Sequence, residues 1–239
     1  MKTTFQILSN RSIADRVYEM RLAGDTTGIR PGQFVEIQLP GLYLRRPISV
    51  ANAEQRLLTI IYKVVGEGTK QMAEMEAGTM LDLLTCLGNG YDITKAGERP
   101  LLVGGGVGVP PLYYLARTLC AKGKTVRVIL GFNTATEVFY EDKFRALGCE
   151  VVVTTADGSY GQQGFVTAAL DGTESYYYAC GPLPMLRALM AAAGTNGEIS
   201  MEERMGCGYG ACMGCTIQTR EGNKRVCKDG PVFAAETII

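Results

Sequence analysis

Through the first 98 positions, apolar residues come in short runs set between glycine and proline; beyond them, strand-length apolar blocks alternate with helix-length ones. The first pattern predicts strands over 4–8, 17–22, 33–39, 46–51, 57–65 and 80–85, punctuated at Gly24, Gly28, Pro31-Gly32, Pro40-Gly41 and Gly66/Gly68. One helical stretch, 69–75, opens on Thr69, a residue type that caps helices. Many short strands with glycine and proline turns predict a small antiparallel barrel. After Gly97-Glu98-Arg99-Pro100 the pattern predicts strands at 101–103, 126–130, 150–154 and 176–180, with helices at 111–121, 139–147 and 183–193 between them. Such alternation predicts a doubly wound parallel sheet. The chain is therefore expected to be all-β over residues 1–98 and α/β over 99–199, with a small C-terminal segment, 200–239, that carries a hairpin.

Charge narrows the partners. Lys and Arg together number 24 and so do Asp and Glu, so no excess argues for nucleic acid or an anionic membrane. No apolar run approaches the roughly 20 residues that span a bilayer, and Met1-Lys2-Thr3-Thr4-Phe5-Gln6 lacks the apolar core of a secretory signal. A cytoplasmic location is expected. Histidine is absent, which removes Rieske ligation, Cys₂His₂ zinc, Ser-His-Asp hydrolysis and imidazole acid–base chemistry. Redox transfer carried by cofactors is what remains.

Cysteine spacing supplies one cofactor. Cys207-x4-Cys212-x2-Cys215, with Cys227 twelve residues further on, is the plant-type spacing of a [2Fe–2S] cluster. Four thiolates would complete two tetrahedral irons bridged by sulfides. Gly206, Gly208, Gly210 and Gly214 let backbone N–H groups approach the sulfurs. A zinc site more often pairs two C-x2-C knuckles, and here there is one. Cys86, Cys120 and Cys149 are scattered and are expected to pack as small reduced hydrophobes.

A second site lies where the parallel sheet begins. Gly104-Gly105-Gly106-Val107-Gly108 follows a strand and opens a helix through Pro110-Pro111. Bare backbone amides at a helix N-terminus suit a pyrophosphate, and proline is tolerated at a helix start. The spacing is not G-x-G-x-x-G, because position 109 is Val. No Arg or Lys cluster follows Gly131-Phe132-Asn133-Thr134 to clamp a 2′-phosphate, which leans toward NAD over NADP. Cys180-Gly181-Pro182 ends another strand of the same sheet, where ligands gather, and Cys180 is expected near the nicotinamide.

In the barrel half, Arg45-Arg46-Pro47-Ile48-Ser49 resembles the Arg-x-Tyr/Phe-Ser/Thr flavin motif of the ferredoxin–NADP reductase superfamily. The resemblance implies that Arg46 holds the FAD pyrophosphate, that Ser49 lies near the reactive ring, and that Ile48 replaces the usual stacking aromatic. Ile61-Tyr62-Lys63 and Gly68-Thr69 resemble the next two FAD-contacting stretches, the second a helix start that grips phosphate. These motifs, Glu203-Arg204-Met205-Gly206-Cys207 and the tail Cys227-Lys228-Asp229-Gly230-Pro231 follow one another along essentially all 239 residues. In that order they resemble the electron-transfer subunits of NAD-linked (class 1B) dihydroorotate dehydrogenases.

Chemistry agrees with the resemblance. NAD exchanges a hydride, an iron–sulfur cluster moves single electrons, and a flavin converts between the two. The resemblance implies a partner, an FMN-containing dihydroorotate dehydrogenase catalytic subunit, in a heterotetramer of two plus two, with electrons running through the cluster and FAD to NAD⁺ in pyrimidine biosynthesis. The flavin subunit of a hydrogenase, sulfhydrogenase or ferredoxin-reducing complex shares much of this layout. A non-catalytic redox sensor or zinc-stabilised binding protein is the alternative of a different class.

Overall fold

The computed structural model describes residues 2–173 and 176–239. Strands β1 (Lys2–Ala14), β2 (Val17–Ala23), β3 (Phe34–Ile37), β4 (Arg46–Glu54), β5 (Leu57–Lys63) and β6 (Met80–Leu87) close an antiparallel barrel in the order β1-β2-β5-β4-β3-β6. Its core is the inward half of each alternation: Phe5 and Ile7, Val35 and Ile37, Leu58 and Ile60, Leu81 and Leu83. Strand β1 runs beyond the expected 4–8 because it closes the barrel. Its first residues pair with β6, and the stretch from Gln6 to Ala14 pairs with β2. The short helix α1 (Glu67–Ala73) starts two residues before the expected position, with Gly66 as its N-cap. Thr69 is the third helical residue and still serves the helix start, since its hydroxyl oxygen accepts from the N–H groups of Val65 at 2.9 Å and Gly66 at 3.2 Å.

The second layer is a seven-stranded sheet. It contains β7 (Leu101–Gly105), β8 (Arg127–Phe132), β9 (Glu150–Thr155), β10 (Gln162–Gln163), β11 (Tyr177–Cys180), β12 (Gly197–Ser200) and β15 (Val232–Ala234), in the order β10-β9-β8-β7-β11-β12-β15. All neighbours are parallel except β15, which runs antiparallel to β12. The sheet thus draws an edge strand from beyond residue 200. Helices α2 (Val109–Ala121), α3 (Glu141–Ala146) and α4 (Leu183–Ala193) follow β7, β8 and β11. On α2, Leu112, Leu115, Ala116 and Leu119 are buried at the helical spacing of a single stripe. The expected C-terminal hairpin is β13 (Thr216–Thr219) with β14 (Gly222–Arg225), and one helical turn, α5 (Val226–Asp229), follows it. Among the described residues no helix is long and apolar enough to cross a membrane.

The barrel and the sheet are tied at several points. Tyr114 on α2 donates its hydroxyl to the Ile29 carbonyl at 3.2 Å, and Arg117 reaches Asn52 at 2.7 Å. Asn89, at the barrel exit, donates to the Val232 carbonyl at 2.7 Å and accepts from the Val232 N–H at 3.0 Å. Glu19 on β2 is 2% exposed. It accepts from the Tyr140 hydroxyl at 2.6 Å and from Arg11 at 2.7 Å, with Lys143 at 3.9 Å. Burial alone would raise the Glu19 pKa, but the Tyr140 hydroxyl, Arg11 and Lys143 outweigh it and hold the carboxyl below its ordinary value.

Such a group stabilises the fold above the ordinary carboxylate pKa and ceases to do so as pH falls through its depressed one. Glu19→Gln is therefore expected to cost about 1–2 kcal/mol at pH 7, a fall of about 2–8 °C in Tm. The difference between the two proteins should vanish in acid, as measured by thermal melts across pH.

Candidate functional site

A cavity of about 390 Å³ opens where the barrel, the sheet and the C-terminal segment meet. The barrel contributes Arg46, Pro47, Ile48 and Ser49 from β4 and Ile61, Tyr62 and Lys63 from β5, with Thr69 from α1. The glycine loop contributes Val107, and the stretch leaving β12 contributes Ser200, Met201, Glu202, Glu203 and Met205. The flavin-type motif therefore faces both the nucleotide loop and the approach to the cysteines.

Local packing explains why these residue types recur. Gly68 lies under Arg46, and a Cβ there would stand 2.3 Å from the arginine Nε. The arginine is held further by donating from Nη1 to the Leu44 carbonyl. Lys63 donates to Glu137 at 2.9 Å, and Glu137 in turn accepts from the Asn133 N–H at 3.1 Å. This chain of contacts joins the cavity wall to the loop after β8. Tyr62 keeps its hydroxyl on Asn10, at 2.9 Å, and stacks on Tyr18.

In the nucleotide half, Gly108 packs flush on the next loop, where a Cβ would lie 2.2 Å from the Cys180 carbonyl oxygen and 2.6 Å from the Gly181 nitrogen. Gly105 likewise leaves room for Met185, whose sulfur would stand 2.4 Å from a Cβ there. Gly104 pairs in register with Cys180 across β7 and β11. Gly106 differs from these three: its φ is +52°, and a Cβ would meet nothing within 4 Å. Its backbone borders open space at the helix start, as a pyrophosphate loop requires. The Cys180 thiol is buried, and burial, then the charge of Glu202, pushes its pKa well above normal against a hydrogen bond from Ser200. Pro182 leads into α4 as its N-cap.

The four cysteines fall into two couples. Cys207 and Cys212 lie toward the surface, whereas Cys215 and Cys227 are each 1% exposed. The Cys207 sulfur accepts from the N–H groups of Ala211 at 3.2 Å and Cys212 at 3.5 Å, and the Cys215 sulfur accepts from the Cys227 N–H at 3.4 Å. Burial opposes ionisation of Cys207, but the N–H groups of Cys212, Tyr209 and Ala211 and the Cys212 thiol bring its pKa down to about 6. Burial, then the neighbouring Cys215, pushes Cys227 up to about 12. Among the described residues no three thiol or carboxylate groups converge on a single metal ion. Two couples with backbone N–H groups aimed at the Cys207 and Cys215 sulfurs make a four-thiol set of the kind a [2Fe–2S] cluster takes.

Several contributors escaped the sequence reading, Met201 among them. Ser200 and Glu202 belong to no motif, and their placement at the cavity depends on the β11–β12 pairing. Glu36 on β3 is fully buried beneath the cluster loop, and its two carboxylate oxygens have no hydrogen-bond partner among the described residues. Burial, opposed mainly by Arg45, lifts its pKa to about 7. Gly208, at φ +76°, is what lets the loop lie there, because a Cβ would stand 2.6 Å from the Glu36 side chain.

A barrel of this order, joined to a parallel sheet across such a cavity and followed by a four-cysteine loop, defines a ferredoxin-reductase-like electron-transfer protein with an iron–sulfur segment. Residues 202–239 match the iron–sulfur cluster binding domain of dihydroorotate dehydrogenase B, and residues 102–190 match the oxidoreductase NAD-binding domain. The chain is 46% identical over 253 residues to the dihydroorotate dehydrogenase B (NAD(+)) electron transfer subunit of Bacillus pumilus, covering 99% of this chain and 98% of that one. It is 45% identical to the counterpart from Fusobacterium nucleatum, covering 96% and 95%. Among solved structures, an NADH-dependent reduced ferredoxin–NADP oxidoreductase superposes with a TM-score of 0.90 at 31% identity, over 98% of this chain and 89% of that one. Phthalate dioxygenase reductase, at 18% identity and a TM-score of 0.69 over 84% and 69%, shares the fold. The chain belongs to the dihydroorotate dehydrogenase B electron transfer subunit family.

The contact between Gly68 and Arg46 sets a test of the flavin wall. Arg46→Ala should weaken FAD binding by about 1.5–3 kcal/mol and release it on dilution, and Gly68→Ala, by displacing the arginine, should weaken binding in the same direction by less. Flavin fluorescence in the filtrate, with circular dichroism to check folding, measures it.

Proposed function

We propose that this chain carries electrons from an FMN-containing dihydroorotate dehydrogenase catalytic subunit to NAD⁺, serving pyrimidine biosynthesis in the cytoplasm. The carrying observation is the shared cavity, lined at once by the Arg46–Ser49 motif, the glycine loop and the stretch that runs from Ser200 into the cysteines. In this reading Cys207 and Cys212 hold one iron and Cys215 and Cys227 the other. Arg46 and Thr69 anchor the pyrophosphate of FAD, with Pro47, Ile48 and Ser49 beside its ring. Ile61, Tyr62 and Lys63, on the neighbouring strand β5, continue that wall, and Gly68 leaves space for the arginine. Gly106 presents open backbone to NAD, with Gly104, Gly105 and Gly108 shaping the loop against its neighbours, and Cys180, Gly181 and Pro182 border its nicotinamide. When bound, the flavin exchanges a hydride with NAD and single electrons with the cluster.

The residues at the cluster suit an exit toward a partner. Tyr209 and Met213 are 59% and 55% exposed beside Cys212, large apolar side chains of the kind interfaces recruit. A catalytic subunit covering segment 200–239, in a heterotetramer of two plus two, is the assembly this reading takes. The likeness to the reduced ferredoxin–NADP oxidoreductase favours a second reading, a reductase subunit serving a ferredoxin or hydrogenase complex. Higher identity across the full length of the dihydroorotate dehydrogenase relatives favours the first.

One assay separates the two. The isolated chain should reduce no NAD⁺ with dihydroorotate, and adding the catalytic subunit should start the reaction. Cys212→Ser should bleach the cluster absorbance and abolish the coupled reaction while NADH still reduces the flavin. Activity from the isolated chain, full iron in the variant, or association with a hydrogenase-type partner alone would contradict the proposal.

A further inference from the structure

Away from the cluster, two other cysteines meet. Cys120 lies in the last turn of α2 and Cys149 in the turn that enters β9, and their sulfurs are 3.7 Å apart although 29 positions separate them in sequence. Cys149 is 7% exposed within the core of the nucleotide half, and Cys120 is half-buried at the edge of that core. A disulfide needs sulfurs about 2.05 Å apart, so closure of this pair requires a short inward movement of side chains already in contact.

The flanking turns leave room beside the pair. Gly123 (φ +77°) follows the end of α2, and Gly148 (φ +85°) directly precedes Cys149. A Cβ at either glycine would meet nothing within 4 Å, so both turns border open space. Neither cysteine touches the cavity or the four-cysteine loop, so the electron-transfer reading does not use them.

We propose that Cys120 and Cys149 form a reversible disulfide, with a low-molecular-weight disulfide such as oxidised glutathione as the electron acceptor. Cys120, the more accessible, attacks as its thiolate. An S–S bond forms between Cys120 and one glutathione, the glutathione disulfide breaks, and the other half leaves as a thiolate that takes the proton lost by Cys120. Cys149 then gives up its proton and attacks the Cys120 sulfur, and the second glutathione leaves. The sum is two cysteine thiols and one oxidised glutathione giving one protein disulfide and two glutathiones. Burial, then the neighbouring Cys120, pushes the Cys149 thiol up to about 12. Burial, the larger cause, persists after Cys120 is captured, so attack by Cys149 is expected to be the slower step.

The test uses the holoprotein, in which the cluster occupies its own four cysteines and leaves Cys86, Cys120, Cys149 and Cys180 as thiols. After exposure to oxidised glutathione under anaerobic conditions, alkylation of the denatured protein should show two fewer thiols. Peptide mapping should recover one cross-linked pair, Cys120 with Cys149, and the cluster absorbance should not change. Tm should rise by roughly 5 °C and fall back with dithiothreitol. Cys86→Ser should keep the cross-link. Cys120→Ser and Cys149→Ala should each abolish it, leaving at most a glutathione adduct on the remaining thiol. Two fully alkylatable cysteines at 120 and 149 after treatment, a glutathione adduct on Cys120 that never resolves, or a cross-link to Cys86 would each overturn the proposal.

Discussion

Tyr114 and Arg117, on one side of α2, reach Ile29 and Asn52 of the barrel, while Asn89 at the barrel exit clasps the backbone of Val232 in the last strand of the sheet. Between these ties the outer wall of β4 and β5 is held against the glycine loop and the stretch after β12. The functional geometry is a property of this seam. Neither the barrel nor the sheet contains the cavity alone, and a small rotation between them would reshape the space that Ser49, Val107 and Met205 line. That is why the seam uses polar contacts of fixed direction, such as Glu19 with Tyr140 and Lys63 with Glu137, in addition to apolar packing. Hydrogen bonds fix a register that hydrophobic contact alone leaves free to slide.

The seam also accounts for the glycines. Gly68 and Gly108 each leave room for one neighbour, the Arg46 side chain in one case and the Cys180 carbonyl in the other. Gly208 admits the cluster loop above the buried Glu36. In each case the absent Cβ brings two segments distant in sequence within contact.

Much of this could be read from the chain. The barrel strands showed through their glycine and proline punctuation, and β7, β8, β9 and β11 through buried apolar blocks between helices. The cysteine spacing and the glycine loop stood out because iron–sulfur ligation and phosphate binding are chemistries that constrain local sequence. The remainder is non-local. Strand β10 is two polar residues, Gln162–Gln163, with no apolar signature, and it exists because it pairs with the end of β9. The second half of β1 lacks clean alternation and is ordered by its ladder to β2. Strand β15 follows a cysteine-bearing turn and joins the sheet through β12 alone. Ser200 and Glu202 acquire their position from that same edge, and Glu36 would read as the solvent side of a barrel strand until the cluster loop is laid over it.

On the proposed reading, one continuous path within this chain joins the nucleotide, flavin and cysteine sites. Anaerobic reduction of the purified holoprotein with NADH alone, followed by electron paramagnetic resonance alongside visible absorbance, tests it most directly. The flavin should bleach and a reduced [2Fe–2S] signal should appear in the same sample, with no partner subunit present. A bleached flavin beside a cluster that stays oxidised until the catalytic subunit is added would contradict it.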